Sequence, residues 1–171
     1  MNSSNEFSYF AYGSNMSVRR LAARLPSAKV VTTGFVTGYK LAFDKLSKKD
    51  GSGKCDCEHT GNAGDRVYGV IFSVVHSERE ALDTFEGAGK GYEPLSIRVE
   101  TAIGGVYALT YVATKKQPGL LPYHWYKHHV LVGAKEANLP EDYVRAIEAV
   151  VSIDDPDLVR TEAELRTYSA S

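Results

Sequence analysis

The sequence predicts an α+β protein in which a mixed or closed sheet is flanked by a few helices. Three observations carry that expectation. Strand-type residues dominate the early part of the chain, the run Val67 to Val75 (VYGVIFSVV) is apolar enough for a central strand buried on both faces, and Pro122, Pro140 and Pro156 each stand where a late helix could begin. At 171 residues the chain is the size of one domain with a sizeable core. Residues 1–171 are therefore read as a single domain without repeat or long linker.

Taken in order, Phe7 to Tyr12 is a short aromatic-rich strand. Ser17 is an N-cap candidate for a helix with Leu21 and Leu25 four apart on one side. From Lys29 to Lys45 the residues are rich in β-branched and aromatic types, with glycines that predict bends or bulges rather than one straight strand. A polar loop, SKKDGSGK, follows. After the central strand, Ser77-Glu78-Arg79-Glu80 has capping-box spacing and predicts a helix through Phe85, with Leu82 and Phe85 as its core contacts. Beyond EGAGKGYEP, the alternation of Leu95, Ile97 and Val99 with polar residues, then Gly104-Gly105 and Val106 to Ala113, predicts a β-hairpin. The three proline-led segments YHWYKHHVLVGAKEA, EDYVRAIEAV and DLVRTEAELR complete the set as helices.

A formal net charge of −1 with 24% charged residues offers no basic field for a polyphosphate partner, so nucleic acid is not expected. MNSSNEFSYF lacks a basic region followed by an apolar one, and eighteen apolar residues never run together, so neither a leader nor a membrane span is expected. A cytoplasmic protein is the reading. Cys55 and Cys57 are the only cysteines and stand too close for an ordinary bridge, in keeping with a reducing compartment.

Two places carry chemistry. In YFAYGSNM, residues 9–16, an aromatic strand runs straight into Gly13-Ser14-Asn15. A loop of small residues ahead of a helix presents free backbone N–H groups, and the helix dipole adds positive potential, so the place suits an anion. A plain turn, with Gly13 supplying a special φ and Asn15 an Asx-type bond, fits the same residues. The second place is Glu86, four residues after Leu82 and so on the core side of its helix, next to the expected stop at Gly87. Burial and the helix C-terminus would both raise its pKa, which suits general acid/base work near neutral pH. The alternative is a frayed helix end with Glu86 in water.

YFAYGSNM, VYGVIF, LDTFEGAGKGYEP and VLVGAKEANLPEDYVRAIE, in that order and spacing, resemble the γ-glutamylcyclotransferase family across nearly the whole chain. The resemblance implies a small mixed β-barrel with peripheral helices and an activity that releases 5-oxoproline from γ-glutamyl compounds with neither metal nor organic cofactor. It implies a substrate loop at Tyr9, Phe10, Ala11, Tyr12, Gly13, Ser14 and Asn15, a catalytic acid/base at Glu86, and substrate-covering tyrosines at Tyr92 and at Tyr126, with Tyr123 the competitor for the last position. Its partners would be a small γ-glutamyl substrate and a second copy of the chain in a homodimer. Glutathione-specific relatives carry YGSL, and relatives acting on γ-glutamylamines carry YGT-type loops, so both substrates fit less well. A cyclotransferase that removes a γ-glutamyl protecting group from a larger amine and a non-catalytic γ-glutamyl-binding scaffold are the other readings.

Other clusters are weaker. His124 and His128 are i,i+4 on a predicted helix, but no HExxH glutamate accompanies them, so a surface or packing role is expected rather than metal. Cys55-Asp56-Cys57-Glu58-His59 lacks a second ligand pair and reads as a strand edge and turn. Gly87, Gly89 and Gly91 follow a helix rather than a strand, which argues against a phosphate loop and for a flexible lid beside Glu86.

Overall fold

The aromatic run forms strand β1, Glu6–Ala11, and its neighbour is the apolar run, β5, Arg66–Val75, paired antiparallel from Glu6 with Val75 to Ala11 with Val70. The structure, a computed structural model, describes residues 5–169, so the first four residues of MNSSNEFSYF lie outside it. Between these strands come helix α1, Val18–Arg24, and strands β2, Lys29–Thr37, β3, Tyr39–Leu46, and β4, Gly53–His59. After β5 come α2, Arg79–Glu86, the hairpin of β6, Tyr92–Thr101, and β7, Gly104–Ala113, then α3, His124–Glu136, α4, Glu141–Glu148, and α5, Leu158–Leu165.

Five strands close into a barrel in the order β1-β5-β2-β6-β7, and a parallel contact between Tyr9 and Leu109 joins β7 back to β1. The central position of β5 explains its composition, since paired strands flank it and Val67, Val70, Ile71, Phe72 and Val74 are all buried. The glycine-dotted segment divides as its residues suggest. β2 carries a register shift between Val30 and Thr32, and Gly38, at φ +84°, turns the chain into β3, which leaves the barrel to pair with β4 in a separate two-stranded sheet. The Cys55 to His59 stretch is thus an edge strand, as its residues suggest, but it stays strand to His59 and holds no turn.

Local expectations at helix ends hold in part. Ser17 caps α1 by accepting from the Arg20 amide, and Leu21 and Leu25 are buried. The capping box at Ser77 to Glu80 does not form. A 3-10 turn, His76–Glu78, precedes α2, and within it the Glu78 carboxylate accepts from the Ser27 amide and hydroxyl on the segment after α1. The helix start is displaced past Ser77, which lies inside the 3-10 turn and so cannot cap α2, whose N-cap position is Glu78 with no side-chain bond. Leu82 is fully buried, but Phe85 is 47% exposed and lies under the Arg24 guanidinium, 5.1 Å from its ring centre. The hairpin turn sits at Ala102-Ile103, with Gly104 and Gly105 already in β7.

Helix α3 crosses the end of β1 at close range. A Cβ on Gly133 would lie 2.4 Å from the Met16 Cβ and 2.6 Å from the Met16 carbonyl carbon and the Ser17 nitrogen. Only glycine lets this helix rest on the backbone that follows the YGSN motif.

Candidate active site

β1 delivers Tyr9 in its extended run, then stops, and residues Ser14–Met16 make a single 3-10 turn closed by Met16 N–H to Gly13 C=O at 3.1 Å and Ser17 N–H to Ser14 C=O at 3.3 Å. The arrangement differs from a loop feeding a long helix. α1 begins only at Val18, has its own cap in Ser17 and spans seven residues, so its first amides lie past the turn rather than at Gly13 to Asn15. The backbone amides of Gly13, Ser14 and Asn15 still donate to no acceptor among the described residues.

Glu86 enters from the other side as the last residue of α2. Gly87, at φ +70°, takes the left-handed conformation that ends the helix, and the amides of Gly87 and Ala88 turn back to Thr84 and Asp83. Part of the Glu86 residue is exposed, but its carboxyl points inward. There Oε1 accepts from the Tyr9 hydroxyl and from Asn15 Nδ2 at 3.0 Å, while Oε2 receives no donor among the described residues. Asn15 Nδ2 also reaches the Tyr9 oxygen at 3.2 Å. One carboxylate oxygen is thereby pinned and the other left open for a proton.

The electrostatics follow from this enclosure. Burial raises the Glu86 pKa above its ordinary value, and the Tyr9 hydrogen bond, the Arg24 charge, the Asn15 hydrogen bond and the Arg20 charge oppose the rise in that order. Burial and the neighbouring carboxylate push Tyr9 well above the usual phenol range, so it stays a protonated donor. Tyr12, Tyr92 and Tyr126 are raised in the same direction, first by burial.

These groups border a small cavity lined by Tyr9, Tyr12, Gly13, Ser14, Asn15, Cys55, Glu86, Tyr92, Thr110, Tyr111 and Tyr126. Of the residues singled out from the sequence, Tyr9, Tyr12, Gly13, Ser14, Asn15, Glu86, Tyr92 and Tyr126 meet here, from four separate segments. Phe10 and Ala11 do not. Both are buried in the barrel wall, paired with Ile71 and Val70 of β5, and neither lines the cavity. Tyr126 and Tyr123 separate cleanly: the Tyr126 hydroxyl accepts from the Cys55 amide at 2.9 Å beside the cavity, and Tyr123 donates to the Asp50 carbonyl at 3.0 Å. The Tyr92 hydroxyl donates to the Cys55 carbonyl at 2.5 Å.

Cys55, Thr110 and Tyr111 were not anticipated as cavity residues. Cys55 is a buried thiol pushed up to about 12 by its burial, so it lines the wall as a neutral group. Tyr111 donates to Asp83 Oδ1 on α2, and its backbone carbonyl accepts from Tyr12 at 2.5 Å. Nothing in the alternation along β4 or β7 marks these three residues. The histidines take packing and surface roles. His124 contacts Ser152, His128 stacks edge-on with Tyr168, and His129 is fully buried against Glu164 and Tyr168. No cluster of three or more metal-ligating side chains occurs among the described residues. The glycines after Glu86 are tied rather than loose: Gly89 N–H bonds Tyr92 C=O, Lys90 N–H bonds Gly87 C=O, and Gly91 C=O accepts from Thr114.

A profile described as the AIG2-like family matches residues 66–147, which run from β5 through the Glu86 helix end to α4. The chain is 30% identical over 165 residues to γ-glutamylcyclotransferase of Bos taurus, covering 92% of this chain and 86% of that one. It is 32% identical over 152 residues to γ-glutamylcyclotransferase of Mus musculus, covering 84% and 78%. A solved structure titled γ-glutamyl cyclotransferase superposes with a TM-score of 0.80 at 30% identity, covering 87% of this chain and 90% of that one. The chain belongs to the γ-glutamylcyclotransferase family.

Proposed function

We propose that this protein is a γ-glutamylcyclotransferase whose acid/base is Glu86, acting on a γ-glutamyl amino acid or amine. The observation that carries the reading is the enclosed Glu86 carboxyl, with Oε1 held by Tyr9 and Asn15 and Oε2 open, in a chain of this family. In the reaction the substrate's α-amino nitrogen attacks its own γ-amide carbonyl carbon. A new C–N bond closes the five-membered lactam, the old amide C–N bond breaks, and 5-oxoproline leaves with the free amine.

The cavity has two tasks in this reading. It holds the glutamyl chain folded so that nucleophile and carbonyl meet, which removes much of the entropic barrier. It also supplies a proton shuttle. The α-ammonium, with a pKa of about 8, must lose a proton before it attacks, and a carboxylate whose own pKa is raised toward neutrality accepts that proton at less cost. The same carboxyl then returns the proton to the leaving nitrogen. It also takes up the second proton, which the attacking nitrogen sheds as it becomes the lactam N–H, and passes it to water or to the departing amine. Tyr9 remains protonated throughout and steadies Oε1. The free amides of Gly13, Ser14 and Asn15 suit either the α-carboxylate or the oxyanion at the γ-carbonyl, and Tyr92 and Tyr126 shape the wall against the glutamyl methylenes.

A cytoplasmic setting fits the two buried, unpaired thiols Cys55 and Cys57, which a reducing compartment preserves. No helix among the described residues is long and apolar enough to cross a membrane. The test is incubation with a panel of γ-glutamyl amino acids, γ-glutamylamines and glutathione, with 5-oxoproline as the readout. Product from one class identifies the substrate. A silent panel with a folded protein that still binds γ-glutamyl ligands would replace this reading with that of a binding scaffold.

A further inference from the structure

Arg24 is the last residue of α1, largely enclosed, and its side chain spans the gap between the YGSN turn and α2. Nη1 donates to Asn15 Oδ1 at 3.3 Å, and the guanidinium lies 5.1 Å from the centre of the Phe85 ring, the residue next to Glu86. An amide side chain can present either oxygen or NH2 to a neighbour. Because Arg24 has only donors, it takes the Asn15 oxygen and so turns the Asn15 NH2 group toward Glu86 Oε1 and the Tyr9 hydroxyl.

We propose that Arg24 is a positioning residue for the Glu86 reaction: it locks the Asn15 amide with its NH2 toward the carboxylate and sets a fixed positive charge behind it. The inference rests on the cyclotransferase reading for its consequence in turnover, but its geometry does not. Without Arg24, the Asn15 amide is free to rotate, and Oδ1 facing the carboxylate would repel it. The flat fork also covers Phe85, which holds the end of α2 against α1 where lysine would give a single mobile ammonium.

The charged and titratable groups around Glu86 come from seven other elements, one of them α3, whose Tyr126 lines the same cavity and is held neutral by burial. Tyr9 and Tyr12 belong to β1 and its end, Arg20 and Arg24 to α1, Lys45 to β3, Cys55 to β4, Tyr92 to β6 and Tyr111 to β7. Arg24 and Arg20 are the cations that lower the Glu86 pKa most, with Arg24 ahead of Arg20. The phenols and the thiol are held neutral by burial. Removing Arg24 therefore removes the largest opposing charge, and the Glu86 carboxyl should titrate at higher pH.

The deciding measurement is the titration of Glu86 by NMR in protein carrying ¹³C at the glutamate side-chain carboxyl, with Glu86→Gln used to assign the signal. In Arg24→Gln the midpoint should rise by about one pH unit, the lower end of the effect of a nearby opposite charge. Arg24→Lys should restore part of the shift. Asn15→Ala should raise the midpoint as well, and adding Arg24→Gln to it should have less effect than Arg24→Gln alone, because one acts through the other. An unchanged midpoint in a folded Arg24→Gln protein, or strictly additive shifts, overturns the proposal. This readout needs no substrate, so it stands apart from the panel assay. Where 5-oxoproline is formed, the acid limb of kcat should move up with the Glu86 midpoint while KM changes little.

Discussion

Glu86→Gln separates the acid/base role from every other role of this side chain. The carboxylate receives both of its donors, the Tyr9 hydroxyl and Asn15 Nδ2, on Oε1. A glutamine carbonyl oxygen at that position accepts the same two bonds, and its NH2 occupies the place of Oε2, which faces no donor among the described residues. The cavity should keep its shape and its ability to hold a glutamyl group, while the proton acceptor is gone. General acid/base catalysis contributes about 10²- to 10⁴-fold, equivalent to about 3–5 kcal/mol at the transition state, so kcat should fall by at least that factor with KM little changed.

Stability should move the other way, and its pH dependence has a definite sign. The folded Glu86 pKa lies above the ordinary 4.5, mainly through burial. Between the unfolded and folded values the native state holds more protons than the unfolded one, so wild-type stability declines as pH rises through that window. Glutamine has no such term. Thermal melts should show Glu86→Gln gaining on the wild type from pH 4.5 upward and the gap levelling off above the folded pKa. Turnover is read by 5-oxoproline release on the best substrate of the panel. A folded Glu86→Gln with near-wild-type kcat would refute the mechanism, and the search for the base would pass to Asp83 and Glu93.

Gly133→Ala should lower both the melting temperature and kcat: in an ordinary helix alanine is favoured over glycine by about 1 kcal/mol, but here the added methyl meets Met16 and Ser17 backbone at 2.6 Å, a clash of the kind that costs about 1–3 kcal/mol. A rise in melting temperature would show that the α3 contact is looser than drawn. Glu164→Gln tests the strap between α5 and α1, where Glu164 accepts from Arg20 at 2.6 Å and contacts His129 at 3.0 Å. Burial alone would raise the Glu164 pKa, but His129 and Arg20 bring it to about 2, so its stabilisation is present above pH 4.5 and lost toward pH 2. The melting gap between wild type and Glu164→Gln should close over that range, and a constant gap would contradict the ion pair. Exhaustive chelation should leave 5-oxoproline formation intact, and a loss restored by zinc would bring the histidine and cysteine clusters back into the mechanism.

Much of the local structure is written in the chain. The period-two and i,i+4 patterns place the strands and helices, Ser17 is a cap by its chemistry, and Gly87 after Glu86 reads as a left-handed stop and is one. Even the inward aim of Glu86 follows from its spacing to Leu82, because four residues complete about one helical turn. What these signals share is range: each depends on atoms within a turn or a pleat of one another. Proline-led starts for α3, α4 and α5 belong to the same class.

Tertiary structure decided the rest, and the reason is again range. Tyr9 and Glu86 are 77 residues apart and Asn15 and Glu86 are 71 apart, so no periodicity within an element could pair them. Closure of β7 onto β1, and the departure of β3 and β4 from the barrel, bring Tyr111 and Cys55 to the same cavity though neither carries a local mark of function. The choice of Tyr126 over Tyr123 at the cavity turns on where α3 lies against β4, which the helix's own sequence does not encode. The capping box failed because a 3-10 turn takes up His76–Glu78 and α2 starts at Arg79, past the Ser77 that would have capped it. Local chemistry proposes each element's partners, and the energy of packing the whole barrel selects among them.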